Sequence, residues 1–412
     1  MVKQLIKEMM DDVISKIDSH GIKKPPMEIL NAFYEVPRHL FIPHLYEENK
    51  GKLNKISLDY NNPDQEILKK IYVNSPLAIL VKEDSVISTS SQPIIMALML
   101  DDLKIKPGNK VFEIGTGSGY NAAIMAQISG KQENIITSEI QKEVAELAIS
   151  NLERAGFGDV NVITSDGGEG YAKKAPYNNI IVTCGAPNIP WINQLSNNGT
   201  IAMPLVTRGI ETLCSLTKQD DGILKGYLSL FVRFLHLEGM YSDKQHFSKN
   251  IGSLQRLVKS RGEQDNYASK KLEEILISDG DDKIVALQKS KKRQNFEFFL
   301  ALTDDNAMVY VSDTKNYERG YSLWHTQKEM DKNGLVIIFP KEIISFGNKA
   351  TTEFLIDSFT YWKELGEPGI QDYDLLFYPS EIKCDLKQNN NGGGWVVQRK
   401  SGTTVFNLRE KS

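Results

Sequence analysis

Three glycines at alternate positions follow a short apolar run and could bring the backbone close to a ligand. The segment runs from Lys110 to Tyr120 and reads KVFEIGTGSGY. Gly115, Gly117 and Gly119 lack side chains that would hold the backbone away from a ligand, and they can adopt positive φ angles. The N–H groups that open a following helix would face that ligand. The segment predicts a strand, a tight turn and a helix start; in the alternative, the glycines merely end a strand.

The spacing of these glycines separates two kinds of cofactor loop. A dinucleotide fingerprint places its third glycine three residues after the second, and this chain has Tyr120 there. That residue argues against a nucleotide-linked oxidoreductase. The G-x-G-x-G pattern, with Glu113 just before it, resembles motif I of S-adenosylmethionine-dependent methyltransferases, in which the loop lies under the methionine part of the cofactor.

Two acidic residues follow later predicted strands and could bind a nucleoside. Glu139 stands at the tip of a strand predicted over residues 134–140, where a carboxylate can accept hydrogen bonds from both ribose hydroxyls. Asp166, with Gly167 after it, follows a strand predicted over 160–164. A carboxylate there can accept a hydrogen bond from the exocyclic amine of adenine. Asp-Gly is also a turn signal, so a simple turn is the alternative.

Hydroxyl side chains precede a predicted helix that starts near Pro93. The sequence from Ser88 to Ser91 reads STSS and is followed by Gln92. This pattern is typical of a helix entry, with proline in the first turn. In one interpretation Ser90 or Ser91 only caps the helix. In the other, the helix start faces the glycine loop and offers hydroxyls and N–H groups to an anion.

Strands and helices alternate around these candidates. Helices are predicted over 121–128, 142–155 and 189–195, and further strands over 175–183, 199–206, 212–217 and 224–237. Such alternation is typical of a mostly parallel, doubly wound α/β sheet with helices on its faces. Cys184 follows the strand over 175–183 and would lie at the edge where such sheets bind ligands.

The flanking regions carry fewer chemical signals. Helices are predicted over 1–20 and 27–34, a stiff connector with two prolines over 35–43, and a polar surface excursion over 46–70. Within the connector, packing is the favoured interpretation of Arg38 and His39.

Beyond Gly239 the pattern changes to that of an α+β domain. The predicted elements are a linker or outer helix over 241–260, helices over 267–277 and 351–365, strands over 295–302, 308–312, 321–325, 335–339 and 343–346, and a hairpin of 395–400 with 403–408, preceded by a loop over 388–394. A basic run over 289–293 is interpreted as a solvated turn, with an acidic peptide as its alternative partner.

Composition limits the class of protein. The chain has 412 residues, enough for two domains, with 41% apolar residues, 25% charged residues and a net charge of -4. This balance does not indicate nucleic acid as a partner. Three distant cysteines predict neither disulfides nor a zinc site, and we expect a reducing, cytoplasmic location without a signal peptide or membrane span. No oligomeric state is predicted.

The first part of the chain resembles the protein-L-isoaspartate O-methyltransferase family. Agreement in order and spacing extends over Val36 to Pro43, Ser91 to Pro93, Val111 to Tyr120, Asp166-Gly167, Ala175 to Thr183 and Val232 to Leu235. The resemblance implies a Rossmann-like class I methyltransferase domain over residues 1–244, with S-adenosylmethionine as cofactor and S-adenosylhomocysteine as product. It implies no metal.

The resemblance also implies roles for individual residues. Ser91 would be the catalytic hydroxyl. The cofactor would be bound by Glu113, Gly115, Thr116, Gly117, Ser118, Gly119, Tyr120, Glu139, Ile140, Asp166 and Gly167, and the substrate by Ser90, Gln92, Cys184 and Arg233.

Two departures from the repair enzymes concern the substrate. The lead-in at Ser88 to Ser91 and the polar insertion near 46–70 differ from the repair enzymes, and the domain over 245–412 is additional. These features are more similar to the branch associated with ribosomally made, modified peptides such as lanthipeptides. The expected reaction is methyl esterification of the C-terminal α-carboxylate of such a peptide, with the additional domain binding it. Alternatives are methylation of an aspartyl or isoaspartyl carboxylate, and a peptide-binding module without catalysis.

Overall fold

The structure, a computed structural model, divides into two compact units. It describes residues 1–49, 52–83, 85–242, 246–251, 255–260, 281–283, 292–305, 307–312, 319–325, 334–338, 343–384 and 394–409. The first unit comprises Met1–Pro204, Leu213–Lys225 and Arg233–Ser242, and the second Leu205–Thr212, Gly226–Val232 and Asp243–Ser412. The domain border that the sequence predicted at residue 244 stays a prediction.

The first unit contains six α-helices. They are α1 (Val2–Ser19), α2 (Met27–Glu35), α3 (Gln65–Ile71), α4 (Pro93–Leu103), α5 (Tyr120–Ser129) and α6 (Lys142–Arg154). In α1 the buried residues recur every three or four positions, from Leu5 to Ile17, so that one face packs against the core. Among the described residues, no helix combines the length and apolar content needed to cross a membrane.

Two hairpins precede the main sheet. Strand β1 (His44–Asn49) pairs with β2 (Lys52–Ser57), and β3 (Leu77–Lys82) pairs with β4 (Ser85–Ser90), both antiparallel. The polar surface excursion predicted over 46–70 holds most of the first hairpin and also α3. A strand with exposed side chains can be as polar as a loop.

The main sheet has the predicted doubly wound form. Its strands between residues 111 and 231 are β5 (Val111–Ile114), β6 (Ile135–Glu139), β7 (Asn161–Thr164), β8 (Tyr177–Val182), β9 (Leu195–Thr207), β10 (Ile210–Lys218) and β11 (Leu224–Phe231). The spatial order is β11-β10-β9-β8-β5-β6-β7, with β9, β8, β5, β6 and β7 parallel to one another. The strand predicted over 224–237 ends at Phe231.

A topological switch point lies between β5 and β8. From β5 the chain continues outward to β6 and β7, and then returns to place β8 on the other side of β5. In open α/β sheets the crevice at the carboxyl ends of two such strands binds ligands. The glycine loop follows β5 directly, so the fold places it in this crevice.

The second unit combines helices and antiparallel strands, as the sequence predicted. Strands β12 (His246–Ile251), β13 (Gln255–Ser260), β14 (Asp281–Lys283), β15 (Ala307–Ser312), β16 (Arg319–His325), β17 (Gly334–Ile338) and β18 (Ile343–Gly347) form one sheet in the order β12-β13-β15-β16-β17-β18-β14. The unit also contains α7 (Arg293–Thr303), α8 (Ala350–Glu364), β19 (Tyr373–Pro379), and the predicted hairpin of β20 (Gly394–Arg399) with β21 (Gly402–Leu408).

Two predictions in the second unit were wrong. Residues 295–302 lie in helix α7 and not in a strand. Phe296 and the five residues from Phe298 to Leu302 are all buried, and an apolar run buried on every side shows no period that separates helix from strand. Residues 241–260 contain β12 and β13 instead of a linker or helix. The predictions for 267–277, for the loop before Gly394 and for most of the basic run lie outside the described residues.

Candidate functional site

The glycine loop has the backbone conformation that its sequence requires. Gly115, Gly117 and Gly119 have φ angles of 92°, 54° and 84°, a region that favours glycine. The N–H groups of Gly115 and Thr116 donate to the Ser138 carbonyl at 2.9 and 3.1 Å, which fixes the loop to the end of β6. The predicted strand, turn and helix start are confirmed.

Two neighbouring segments approach the loop so closely that side chains would not fit. A Cβ atom on Gly115 would lie 2.5 Å from Thr183 Oγ1, and one on Gly117 would lie 2.9 Å from the Thr89 carbonyl oxygen. The loop is thus in contact with the end of β8 and with the hydroxyl segment, Ser88 to Ser91. The expectation that the hydroxyl segment meets the glycine loop agrees with this geometry.

Thr183 is a part of this site that sequence reasoning did not single out. Its hydroxyl contacts the carbonyl oxygens of Ile114, at 2.9 Å, and Gly115, at 2.7 Å. The side chain therefore supports the loop from the neighbouring strand. Its place directly after the strand beside β5 was a signal that could have identified it.

The serines of the hydroxyl segment do not cap helix α4. The N-cap residue of α4 is Gln92, but its side chain does not cap the helix. Its Nε2 donates to the Asn74 carbonyl at 2.9 Å instead. Asn74 Oδ1 accepts the Ile94 N–H at 3.1 Å. Ser90 is 3% exposed, and its Oγ has no hydrogen-bond partner in the described part of the chain. Because Asn74 satisfies the helix start, the interpretation of Ser90 or Ser91 as a simple cap is wrong.

Glu139 lies at the tip of β6, beside the loop. Its Oε2 accepts the Gly117 N–H at 3.0 Å and its Oε1 accepts the Gln141 N–H at 3.1 Å. Burial raises the pKa of Glu139, and the hydrogen bonds from backbone N–H groups oppose that rise. The next residue, Ile140, is 40% exposed and provides an apolar surface beside the acid.

The side chain of Glu113 is fully buried, and both of its oxygens accept hydrogen bonds from the protein; its predicted role in binding the cofactor stays a prediction. Asn121 Nδ2 donates to Oε1 at 2.7 Å, and Thr137 Oγ1 donates to Oε2 at 2.7 Å. Thr116 Oγ1 lies 2.7 Å from Thr137 Oγ1. Since Thr137 gives its proton to the carboxylate, Thr116 donates to Thr137. Glu113 thus supports the loop from beneath through a hydrogen-bonded chain.

Other loop residues that were predicted to touch a cofactor also face the protein. The side chain of Tyr120 is 1% exposed and packs against Phe33 and Phe41. Ser118 is 2% exposed, and a Cβ on Gly119 would contact Leu152. The side chains at these positions hold α5 against the core, so only their backbone could reach a ligand.

Asp166 lies in the turn after β7, as the alternative interpretation predicted, and its role in binding adenine stays a prediction. Its Oδ1 accepts the Gly168 N–H at 2.8 Å, and its Oδ2 accepts the Met240 N–H at 2.6 Å. Trp191 Nε1 donates to the Gly167 carbonyl at 2.8 Å. Met240, 51% exposed, therefore lies beside this acid, and no motif in the sequence had indicated it.

Cys184 and Arg233 lie on two segments that pair with each other. The Gly185 N–H donates to the Leu235 carbonyl at 2.8 Å, and the Leu237 N–H donates to the Gly185 carbonyl at 2.9 Å. Arg233 is exposed, two residues before this pairing, whereas Cys184 is half-buried. An exposed guanidinium at the ligand-binding edge of the sheet is suited to a carboxylate.

The pKa of Glu113 generates a prediction about pH and stability. Burial raises this pKa from 4.5 to about 7, so the folded state favours the protonated acid. The contribution of Glu113 to stability is therefore full below its unfolded pKa and is lost as pH rises through its folded pKa. We expect the free energy of unfolding of wild type, measured relative to that of Glu113→Gln at the same pH, to decrease by up to ~3 kcal/mol between about pH 5 and pH 8.

Urea unfolding at several pH values measures this difference. The amide of Glu113→Gln places an NH₂ group where an oxygen accepted a hydrogen bond, which adds a cost that does not vary with pH. Glu133→Gln, at an exposed glutamate near the start of β6, is the control and should leave the pH dependence of wild type unchanged. A difference between Glu113→Gln and wild type that is constant over this range would contradict the prediction.

The amino-acid sequence matches one known family of methyltransferases over the part of the chain that contains this site. The family model described as protein-L-isoaspartate(D-aspartate) O-methyltransferase matches residues 8–241. A protein-L-isoaspartate O-methyltransferase of Methanococcoides burtonii is 36% identical over 215 residues, covering 52% of this chain and 93% of the relative. Protein-L-isoaspartate O-methyltransferase 2 of Archaeoglobus fulgidus is 35% identical over 219 residues, 53% of this chain and 88% of the relative.

A solved structure of a protein-L-isoaspartate O-methyltransferase aligns with 92% of this chain and 100% of its own, at 20% identity and a TM-score of 0.49. The first unit has the Rossmann-like α/β fold of class I S-adenosylmethionine-dependent methyltransferases. Since the family model spans more than half of the chain and the relatives are covered over most of their length, the chain belongs to the protein-L-isoaspartate(D-aspartate) O-methyltransferase family.

Proposed function

We propose that this protein transfers a methyl group from S-adenosylmethionine to the carboxylate of an isoaspartyl or aspartyl residue in a polypeptide. The observation that carries the proposal is the close approach of Thr89 to Gly117, which brings the hydroxyl segment against the glycine loop. A loop suited to a nucleoside cofactor and a segment suited to an anion therefore share one crevice.

The residues around the crevice fit the cofactor. We assign the loop backbone from Gly115 to Gly117 to its methionine part, Glu139 to its ribose hydroxyls, and Asp166 with Ile140 to its adenine. Each oxygen of Glu139 and Asp166 that already accepts one N–H can accept a second hydrogen bond. When bound, the cofactor supplies an electrophilic methyl group on a sulfonium.

The acceptor needs no general base. A peptide carboxylate has an ordinary pKa of about 4 and is ionised near neutral pH. The protein's task is then to hold one carboxylate oxygen in line and to support the other. Ser91, the half-buried serine that precedes α4, would donate its hydroxyl to that second oxygen, and Arg233 would attract the negative charge.

The names of the relatives support isoaspartate as the acceptor. Each of the relatives compared above is a protein-L-isoaspartate O-methyltransferase. In an isoaspartyl residue the side-chain carboxyl group forms the peptide bond to the next residue, and the α-carboxylate is free. A site for this group therefore recognises a carboxylate next to a backbone nitrogen.

The C-terminal α-carboxylate of a ribosomally made, modified peptide is the second candidate acceptor. It has the same chemical environment as the free group of isoaspartate. The observation that favours it is the second unit, since the family model ends at residue 241 and leaves the rest of this unit for another role. We assign peptide binding to that unit.

Methylation of matched synthetic peptides tests the proposal. We expect a peptide containing isoaspartate to gain one methyl group, located on that residue by fragmentation in a mass spectrometer. The same sequence with aspartate, and both versions with an amidated C-terminus, are the controls. Methyl ester only on free C-termini would contradict the first candidate and support the second, whereas methylation of none would contradict both.

Ser91→Ala separates catalysis from simple peptide binding. We expect the rate of methyl transfer to fall roughly 10²-fold, because one donor to the carboxylate is lost. Affinity for S-adenosylhomocysteine, measured by calorimetry, should stay within about twofold. Ser85→Ala, at an exposed serine at the start of β4, is the control. Unchanged turnover in Ser91→Ala would remove this residue from catalysis.

Gly117→Ala tests the close approach itself. A Cβ at this position meets the Thr89 carbonyl at 2.9 Å, whereas one at Gly130 meets nothing within 4 Å. Both glycines have positive φ angles, 54° and 68°, so both alanines share a similar backbone cost. We expect only Gly117→Ala to weaken the binding of S-adenosylhomocysteine, by roughly tenfold. Equal affinity of the two variants would show that the approach is not required.

A further inference from the structure

Arg38 is a buried cation whose hydrogen bonds all go to backbone carbonyls. It opens a short 3₁₀ turn, Arg38–Phe41, and its side chain has no exposed surface. Nη1 donates to the carbonyls of Ile71 and Val73 at 3.1 and 2.7 Å. Nη2 donates to those of Ser75 and Ser91 at 2.9 and 3.1 Å. One guanidinium therefore joins the segment after α3 to the residue we assign to catalysis.

This arrangement is costly for the protein. Within the described residues no carboxylate forms an ion pair with Arg38, and Nε has no hydrogen-bond partner. Burial lowers the pKa of Arg38 to about 10, so the side chain is charged near neutral pH. A buried charge without an opposite charge destabilises a fold unless its hydrogen bonds compensate. Packing alone would be served by an apolar side chain.

The bond to Ser91 fixes the direction of the following peptide group. In a trans peptide the C=O and the N–H point in opposite directions. Because the Ser91 carbonyl points at the Arg38 guanidinium, the Gln92 N–H points away from it. This N–H makes no hydrogen bond to any described residue. It is a backbone donor without a described partner on the residue that follows Ser91.

We propose that Arg38 is a positioning residue for the acceptor carboxylate: it holds the Ser91–Gln92 peptide so that the Ser91 hydroxyl and the Gln92 N–H together bind one carboxylate oxygen. The inference rests on the proposed function and adds two elements to it, a backbone donor and the cation that orients it. Lysine cannot replace arginine here, because a single ammonium cannot span four carbonyls on two segments.

Arg38→Lys tests this inference with Arg154→Lys as the matched control. Arg154 also donates to a backbone carbonyl of the same connector, that of Leu40 at 2.9 Å, but it does not contact Ser91. For Arg38→Lys we expect kcat/KM for the peptide to fall roughly 10²-fold per S-adenosylhomocysteine-binding site, since the donors lose alignment. For Arg154→Lys we expect a value near wild type. Counting sites by calorimetry removes the effect of any unfolded fraction.

A double-mutant cycle shows whether Arg38 acts through Ser91. In the Ser91→Ala background, Arg38→Lys should lower kcat/KM by a clearly smaller factor than in wild type. Equal factors in both backgrounds would overturn the inference. So would a wild-type value of kcat/KM in Arg38→Lys.

Hydrogen exchange provides a readout that does not depend on activity. In Arg38→Lys, amides of residues 71–75 and 88–91 should exchange faster, while those of α5 stay as in wild type. Unchanged exchange in those two segments would overturn the inference. If wild type methylates no peptide, the proposed function fails, and faster exchange would still establish Arg38 as the anchor of Ser91.

Discussion

The contact of the glycine loop with the Thr89 carbonyl is the constraint on which the rest of the site depends. At this point two backbones meet with no side chain between them, and one of them can do so only because residue 117 is glycine. The switch point of the sheet brings the loop to the carboxyl end of β5, and the hairpin of β3 and β4 brings the hydroxyl segment to the same place. The glycine loop and the hydroxyl segment are thereby each attached to strands of a sheet.

Two buried ionisable groups support this contact, and each is satisfied differently. Glu113 accepts hydrogen bonds from Asn121 and Thr137, and through Thr137 it is connected to Thr116 in the loop. Arg38 donates to carbonyls of two segments. Neither group relies on an ion pair with an opposite charge. Both use fully buried polar atoms to fix backbone positions, which suits a site whose donors are largely backbone N–H groups.

The second unit has its own core, which is dominated by aromatic side chains. The ring of Phe298 lies 5.8 Å from those of Tyr373 and Phe406. Trp362 is fully buried, and its Nε1 donates to the Pro368 carbonyl at 3.1 Å. A core of this kind stabilises the unit. The relatives from Methanococcoides burtonii and Archaeoglobus fulgidus are too short to contain such a unit, because about half of this chain already covers 93% and 88% of their length. We propose that this unit binds the substrate peptide.

Local sequence determined the strand, turn and helix around Gly115, the order of elements from α4 to β8, and the acids at the ends of β6 and β7. These features depend on backbone preferences and short-range periodicity, which neighbouring residues carry. Only the tertiary structure decided that Asn74 caps α4 in place of a serine, that Thr183 supports the loop, and that Arg38 holds Ser91 across 53 positions of the chain. Contacts between distant residues leave no period in a single sequence, so the supporting residues of the site became visible only once the chain was folded.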